Sequence, residues 1–220
     1  MTIVLRVVPV VLIVIFLSVD AIADDSQGLE PGFIPLFNGS DLSNWEGDTD
    51  GYVVENGEIV CKPGGKLYTK EDFDNFIFRF EFKLTPGANN GLGIRMAPCV
   101  RNAAYDAIEL QILEKTASKY DKLEPYQYHG SIYGVVPAKR GHLKPVGEWN
   151  QQEVIADGHR IKVTLNGAVI VDADIKEAGK NGTMDGREHS GLLRPSGRIG
   201  FLGHDDLLYF RHVRVKRLGE

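Results

Sequence analysis

Two polar residues interrupt an apolar run at Ile108-Glu109-Leu110-Gln111-Ile112. Side chains alternate along a strand, so Glu109 and Gln111 share one face and the three apolar residues take the other. A carboxylate and an amide so placed suit proton transfer to a ligand and hydrogen bonding of its hydroxyls. Arg95 is expected opposite Leu92, Ile94 and Met96 by the same alternation. A solvated sheet face gives this pattern too. A Glu, a Gln and an Arg beside Gly91 and Gly93 fit a lined groove slightly better.

Tyr133, inside Gly130-Ser131-Ile132-Tyr133-Gly134, can stack on a flat ligand and offer its hydroxyl. A buried turn tyrosine explains the same residues. Lys144 precedes Pro145, which favours extended backbone. Its amine is then able to reach a groove or to remain in solvent. Trp149 is expected to pack under a sheet rather than bind a sugar. His204 stands at a strand end, where a ring can face a cleft, and histidine exchanges protons near neutral pH. His129, His142, His159, His189 and His212 compete with it, and pattern alone does not choose among them. No G-x-S-x-G elbow is present. No CxxC or HExxH motif marks a zinc site. No close carboxylate pair marks the usual two-carboxylate glycosidase route.

The elements that must position these residues read as strands. Phe76, Phe78, Phe80, Phe82 and Leu84 alternate with Ile77, Arg79, Glu81 and Lys83. Asn56-Gly57 and Asn166-Gly167 are hairpin turns between alternating runs. Further strands are expected over residues 92–96, 108–112, 153–156, 161–165, 169–173, 198–202 and 209–218. Turns rich in Gly and Pro separate them, and helix signals are nearly absent. This spacing predicts an all-β sandwich or jelly roll, not βαβ units. Residues 115–144 and 175–195 read as long loops, which on a sandwich are usually functional or mobile.

Composition sets the outer bounds. The chain has 220 residues, with 25 Lys+Arg against 30 Asp+Glu and 43% apolar content. That apolar content argues against disorder. The net charge of −5 lacks the basic excess of a nucleic-acid binder. Residues 1–23 read as a cleaved secretory signal: Arg6, the charge-free run Val7–Val19, then Ala21-Ile22-Ala23. The run is short of the ~20 residues of a spanning helix, so no membrane attachment is expected after cleavage. Residues 24–32 form an N-terminal segment, and 33–218 read as one domain. Cys61 and Cys99 are able to pair in an oxidising compartment or to stay as two buried thiols.

The order of motifs is specific. Leu36-Phe37-Asn38-Gly39-Ser40-Asp41-Leu42-Ser43-Asn44-Trp45 resembles the opening of the 3-keto-disaccharide hydrolase domain family. The likeness continues through residues 89–95, 108–113, 130–134, 144–150, 160–167 and 191–200. It closes at Phe210-Arg211-His212-Val213-Arg214-Val215-Lys216. The resemblance implies a concanavalin-like jelly-roll β-sandwich of two antiparallel sheets. It implies a bacterial, secreted enzyme, periplasmic or extracellular, acting on glycosides whose glucose ring carries a ketone at C3. It also implies that Arg95, Glu109, Gln111, Tyr133, Lys144 and His204 line the concave face. Met96 after Arg95, and Leu202-Gly203 before His204, depart from the family's pattern.

A ketone at C3 explains why no carboxylate pair is needed. It acidifies the hydrogen on C2, and a base can then start an elimination that water completes. The expected roles are His204 or Glu109 as base, Arg95 and Lys144 as stabilisers of enolate charge, and Gln111 and Tyr133 as holders of ring hydroxyls. A divalent cation on His204, Glu109 and Asp205 can take part of the Arg/Lys role. The expected partner is a saccharide substrate, with no nucleic acid. The rival reading is a non-catalytic carbohydrate-binding module on the same fold.

Overall fold

The computed structural model describes residues 30–62, 64–98 and 102–219. The signal segment 1–23, residues 24–29 and Cys99 lie outside the described residues. Thirteen strands follow in chain order: β1 (Ile34–Pro35), β2 (Trp45–Gly47), β3 (Tyr52–Glu55), β4 (Glu58–Cys61), β5 (Lys66–Thr69), β6 (Phe76–Leu84), β7 (Asn89–Met96), β8 (Ile108–Leu113), β9 (Trp149–Asp157), β10 (Arg160–Leu165), β11 (Ala168–Asp174), β12 (Arg198–Leu202) and β13 (Leu208–Arg217). Two short α-helices, α1 (Ala103–Asp106) and α2 (Ile175–Gly179), and two 3-10 turns (Ser118–Tyr120 and Pro125–Gln127) complete the set among the described residues.

The strands form two antiparallel sheets. The larger has the order β11-β10-β9-β6-β13-β4-β3, with β1 added on β13. The smaller has the order β2-β5-β12-β7-β8. This is the expected all-β sandwich of concanavalin-like, jelly-roll type. Both Asn-Gly hairpins form. Asn56 and Gly57 have φ of 52° and 76°, and Asn166 and Gly167 have 49° and 84°. Two successive positive φ values match the twist of the flanking strands, and Asn-Gly meets that demand at least cost.

The core lies between the sheets. Strand β6 alternates between buried and half-buried positions along its whole length. Phe80 and Phe210 from the larger sheet meet Phe201 from the smaller, with Phe201 and Phe210 stacked at 3.7 Å between centroids. Trp45 stacks on Phe201 from the other side at 5.6 Å, and its indole N–H donates to Leu36 O at 2.8 Å. Burying each such ring contributes about 2–3 kcal/mol. These contacts hold the smaller sheet against the larger, so its outer face becomes a fixed platform.

One element departs from simple alternation. In β7, Asn90, Leu92 and Ile94 face the core, yet Met96 packs outside with Ala103, Ala107 and Leu202. A bulge makes the switch: Arg198 pairs with Met96, but Gly200 pairs with Gly93. The extra residue is Arg95, with φ of 51°. A bulge re-aims the side chain it carries. Arg95 therefore points to one end of the sandwich and not onto the face. It is 1% exposed there. Nε donates to Asp74 O at 2.9 Å, Nη1 to Gly158 O at 2.7 Å and Nη2 to Asn75 Oδ1 at 3.2 Å. The expectation that Arg95 lines the concave face is corrected: its guanidinium ties two loops together. Arg95→Met should lower unfolding free energy by about 3 kcal/mol, because part-buried acceptors on both loops lose a charged donor. Urea unfolding measures this, and saccharide handling by the folded variant should be unchanged.

Candidate active site

The outer face of the smaller sheet carries a cavity of about 440 Å³. Its floor is β8. Ile108, Leu110 and Ile112 are at most 1% exposed in the core, so Glu109 and Gln111 must project into the cavity. Across the ladder, Gly93 pairs with Glu109 and Gly91 with Gln111. A Cβ at Gly91 would overlap Glu109 Oε1, so the carboxylate lies over the bare backbone of β7. Both polar residues are 6% exposed. They sit in a lined groove and not on a solvated face.

A segment alongside β8 supplies one wall. Gly130 N donates to Gln111 O at 2.7 Å, Gln111 N to Ser131 O at 3.0 Å, and Tyr133 N to Glu109 O at 2.9 Å. These bonds extend the sheet by one irregular strand and bring Tyr133 beside Glu109. Gln127 Nε2 donates to the Tyr133 hydroxyl at 3.1 Å, and Tyr126 packs edge-on against its ring at 5.7 Å. The hydroxyl is thereby oriented with its own proton still to give. Gln111 Oε1 accepts the Ile112 N–H at 3.1 Å, which leaves its Nε2 as the group turned to a ligand.

His204, Gly203 and Leu202 line the opposite wall, where β12 ends. Lys66 comes in from β5. Thus Glu109, Gln111, Tyr133 and His204 are brought together. Lys144 is not. It lies on an exposed loop, where its Nζ donates to Trp149 O at 2.9 Å and its backbone N–H donates to Asn150 Oδ1 at 2.9 Å. The Pro145 turn folds the amine back onto its own loop, so the expectation that Lys144 reaches the groove is corrected. Trp149 packs on the outer face of the larger sheet, with Arg211 4.0 Å and Lys83 4.6 Å from its ring centroid.

The electrostatics single out Glu109. Burial pushes its pKa up from 4.5 to about 7, opposed by the nearby positive charge of Lys66. Lost hydration thus dominates, and the charge of Lys66 only partly offsets it. A carboxyl of this kind exchanges protons near neutral pH. His204 is exposed by area, yet protein crowds the ring enough to lower its pKa from 6.5 by lost hydration, against the pull of Asp206 and Asp205. His129, one of its competitors, is excluded from the site. It is buried against Phe82, accepts the Leu113 N–H at Nδ1 and faces Gln152 Oε1 with Nε2 at 3.0 Å. Burial takes its pKa down to about 4.

The divalent cation considered on His204, Glu109 and Asp205 finds no ligand cluster here. Among the described residues no three His, Cys, Asp or Glu side chains converge as metal ligands. Glu109 instead has the charge of Lys66 for company. Cys61 is a buried thiol near Asn90 Nδ2 at 3.7 Å, and burial pushes its pKa up to about 11.

Sequence reasoning missed Lys66, Tyr105 and Arg187, which also line the cavity. Lys66 stands on a four-residue strand behind Gly64-Gly65. Leu67 and Thr69 alternate with Lys66 and Tyr68 there, a short period-two signal that was available. Tyr105 and Arg187 come from α1 and the 175–195 loop, where no periodicity places a side chain.

The raised pKa of Glu109 carries a stability cost with a definite sign. Between about pH 4.5 and 7 the folded protein holds a proton that the unfolded chain releases. Stability from this group is therefore full below pH 4.5 and is lost as pH rises through 7. Glu109→Gln should relieve that loss. Its stability relative to wild type should rise by about 3 kcal/mol between pH 4 and pH 8, read from urea midpoints of both proteins at each pH.

Comparison with known proteins adds to this geometry. A family model described as a 3-keto-alpha-glucoside-1,2-lyase-like domain matches residues 32–216. A Bacteroides thetaiotaomicron protein, 3-keto-disaccharide hydrolase, is 25% identical over 229 aligned residues, which span 85% of this chain and 79% of that protein. A crystal structure from Parabacteroides distasonis, provisionally named a glycosyl hydrolase, superposes with a TM-score of 0.75 at 26% identity, over 84% of this chain and 99% of that one. A galectin-like protein from Bacillus subtilis superposes with a TM-score of 0.55 at 15% identity, over 84% of this chain and 94% of that one, a likeness of fold alone. Since the family model runs from β1 into β13 and spans the whole cavity, the chain belongs to the 3-keto-alpha-glucoside-1,2-lyase-like domain family.

Proposed function

We propose that this protein is a carbohydrate-active enzyme that cleaves the glycosidic bond of 3-keto-glycosides, with net hydrolysis reached by elimination and then hydration. The observation that carries the reading is Glu109: a buried carboxyl, lying over Gly91 on a cavity floor, with a pKa of about 7 and Lys66 nearby. Ordinary glycosidases need two carboxylates to handle an acetal. A 3-keto sugar needs one well-placed base, because its C2 hydrogen is already acidic.

Glu109 takes the C2 proton, and the electron pair moves toward the C3 oxygen. Lys66 stabilises the enolate charge beside the buried carboxyl of Glu109. The enolate collapses to a C1–C2 double bond, and the C1–O bond breaks. With its pKa lowered, His204 at the rim orients the water that protonates the departing oxygen. The hydroxide left behind adds to C1 and Glu109 returns its proton to C2, so the sum is hydrolysis. Gln111 Nε2 and the Tyr133 hydroxyl hold ring oxygens while this happens. The charge-free run at 7–19 supports export to the periplasm or the exterior, where such saccharides are met.

Glu109→Gln should lower kcat/KM for a 3-keto-glucoside by about 10²–10⁴-fold. In wild type, kcat/KM should rise with pH through about 7 as Glu109 loses its proton, and the variant's residual rate should lack that limb. An unoxidised glucoside should not turn over. If wild type and variant bind sugars equally and neither glycoside is cleaved, the chain is a carbohydrate-binding module instead.

A further inference from the structure

A buried acid–base pair next to the cavity has no part in those steps. The Asp185 and His189 side chains are 5% and 2% exposed, with His189 Nε2 at 3.1 Å from Asp185 Oδ2 and 3.2 Å from Oδ1. Asp185 also accepts the Thr183 hydroxyl at 2.8 Å and the Arg187 N–H at 3.1 Å. Its own N–H donates to Gly134 O at 3.2 Å. Gly134 has φ of 73°, and a Cβ there would come within 2.7 Å of His189 Nε2. The pair thus locks the 183–189 turn onto the residue that follows Tyr133.

What the turn delivers is Arg187. Its Nη1 donates to the Tyr105 hydroxyl at 3.0 Å, and its guanidinium lies 5.3 Å from the Tyr105 ring centroid. The His189 ring meets the same tyrosine edge-on at 5.0 Å. Among the described residues no carboxylate pairs with Arg187, although both Arg187 and Tyr105 line the cavity. A guanidinium has five donors in a planar fork. One is committed to Tyr105, and the rest stand available to oxygen acceptors. Glu109, Lys66 and His204 come from other elements, and a 440 Å³ cavity exceeds what one hexose ring fills.

We infer that Arg187 is a specificity-determining residue that grips hydroxyl oxygens of the leaving-group sugar, and that Asp185 and His189 are the positioning residues that hold it there. This rests on the function proposed above for the reacting half of the same cavity. The fork supplies donors to vicinal hydroxyls, as it does to other paired acceptors.

The test compares methyl 3-keto-glucoside, which has no second sugar, with a 3-keto-disaccharide. In Arg187→Met, KM for the disaccharide should rise about tenfold or more, with kcat within about threefold and the methyl glycoside unaffected. Asp185→Asn should lose the same preference while keeping wild-type near-ultraviolet circular dichroism. Equal effects on both substrates, or none, in Arg187→Met would overturn the inference. Loss of preference in Arg187→Met but not in Asp185→Asn would overturn the positioning role alone. Calorimetry with the unoxidised disaccharide and methyl glucoside separates this from the activity itself. If wild type cleaves neither keto substrate, the functional proposal fails. A disaccharide binding preference that Arg187→Met abolishes would still support the inference, and one it retains would overturn it.

Discussion

The site depends on one constraint, the locked register of β8. Its three core residues are buried in the core cluster, and a slip of one residue would turn all of them into the cavity. Because the slip costs several buried side chains at once, Glu109 and Gln111 have a single direction to take. The neighbouring strand cooperates by carrying nothing at Gly91 and Gly93. The carboxylate lies down on bare backbone where any side chain would have lifted it toward solvent. Precision at the floor thus comes from hydrophobic packing on the reverse side of the same strand.

The same packing makes the floor chemically uneasy. An ionised carboxylate away from water is unfavourable unless paired or well hydrogen-bonded. At Glu109 lost hydration outweighs the nearby charge of Lys66, so its proton affinity rises into the neutral range. A more satisfied carboxylate, such as Glu114 with donors from Gly87, Thr116 and its hydroxyl, has its pKa lowered instead. Two glutamates five residues apart thus hold opposite protonation behaviour because burial governs one and donors govern the other. Stability is given up at Glu109, and a proton that moves near pH 7 is what that loss yields.

The walls are built differently from the floor. Tyr133 rides on backbone bonds to β8, His204 on the end of β12, and Arg187 on a turn pinned by a buried Asp–His pair. None of these relies on strand periodicity. Each is placed by hydrogen bonds between segments distant in the chain. Loops held this way are rigid where they touch the sandwich and free to vary at their tips.

What the sequence determined by itself follows from short-range rules. Alternation in residues 76–84 and 108–112, and the Asn-Gly turns, specify strands, hairpins and an all-β sandwich, and they put Glu109 and Gln111 on one face. Tyr133 and His204 were legible as candidates because small residues or a strand end surround them. Arg95 read wrongly because alternation assumes an unbroken ladder. One residue in a left-handed conformation breaks it, and the pairing of β12 with β7 decides where that happens. Lys144 read wrongly because an amine on a loop goes to whichever carbonyl the fold brings near, here that of Trp149. Lys66 and Arg187 reach the cavity only after the sheets have paired and the loops have closed over them. Local periodicity is a property of the backbone and can be read along the chain, whereas the meeting of distant loops is set by tertiary contacts that no local pattern encodes.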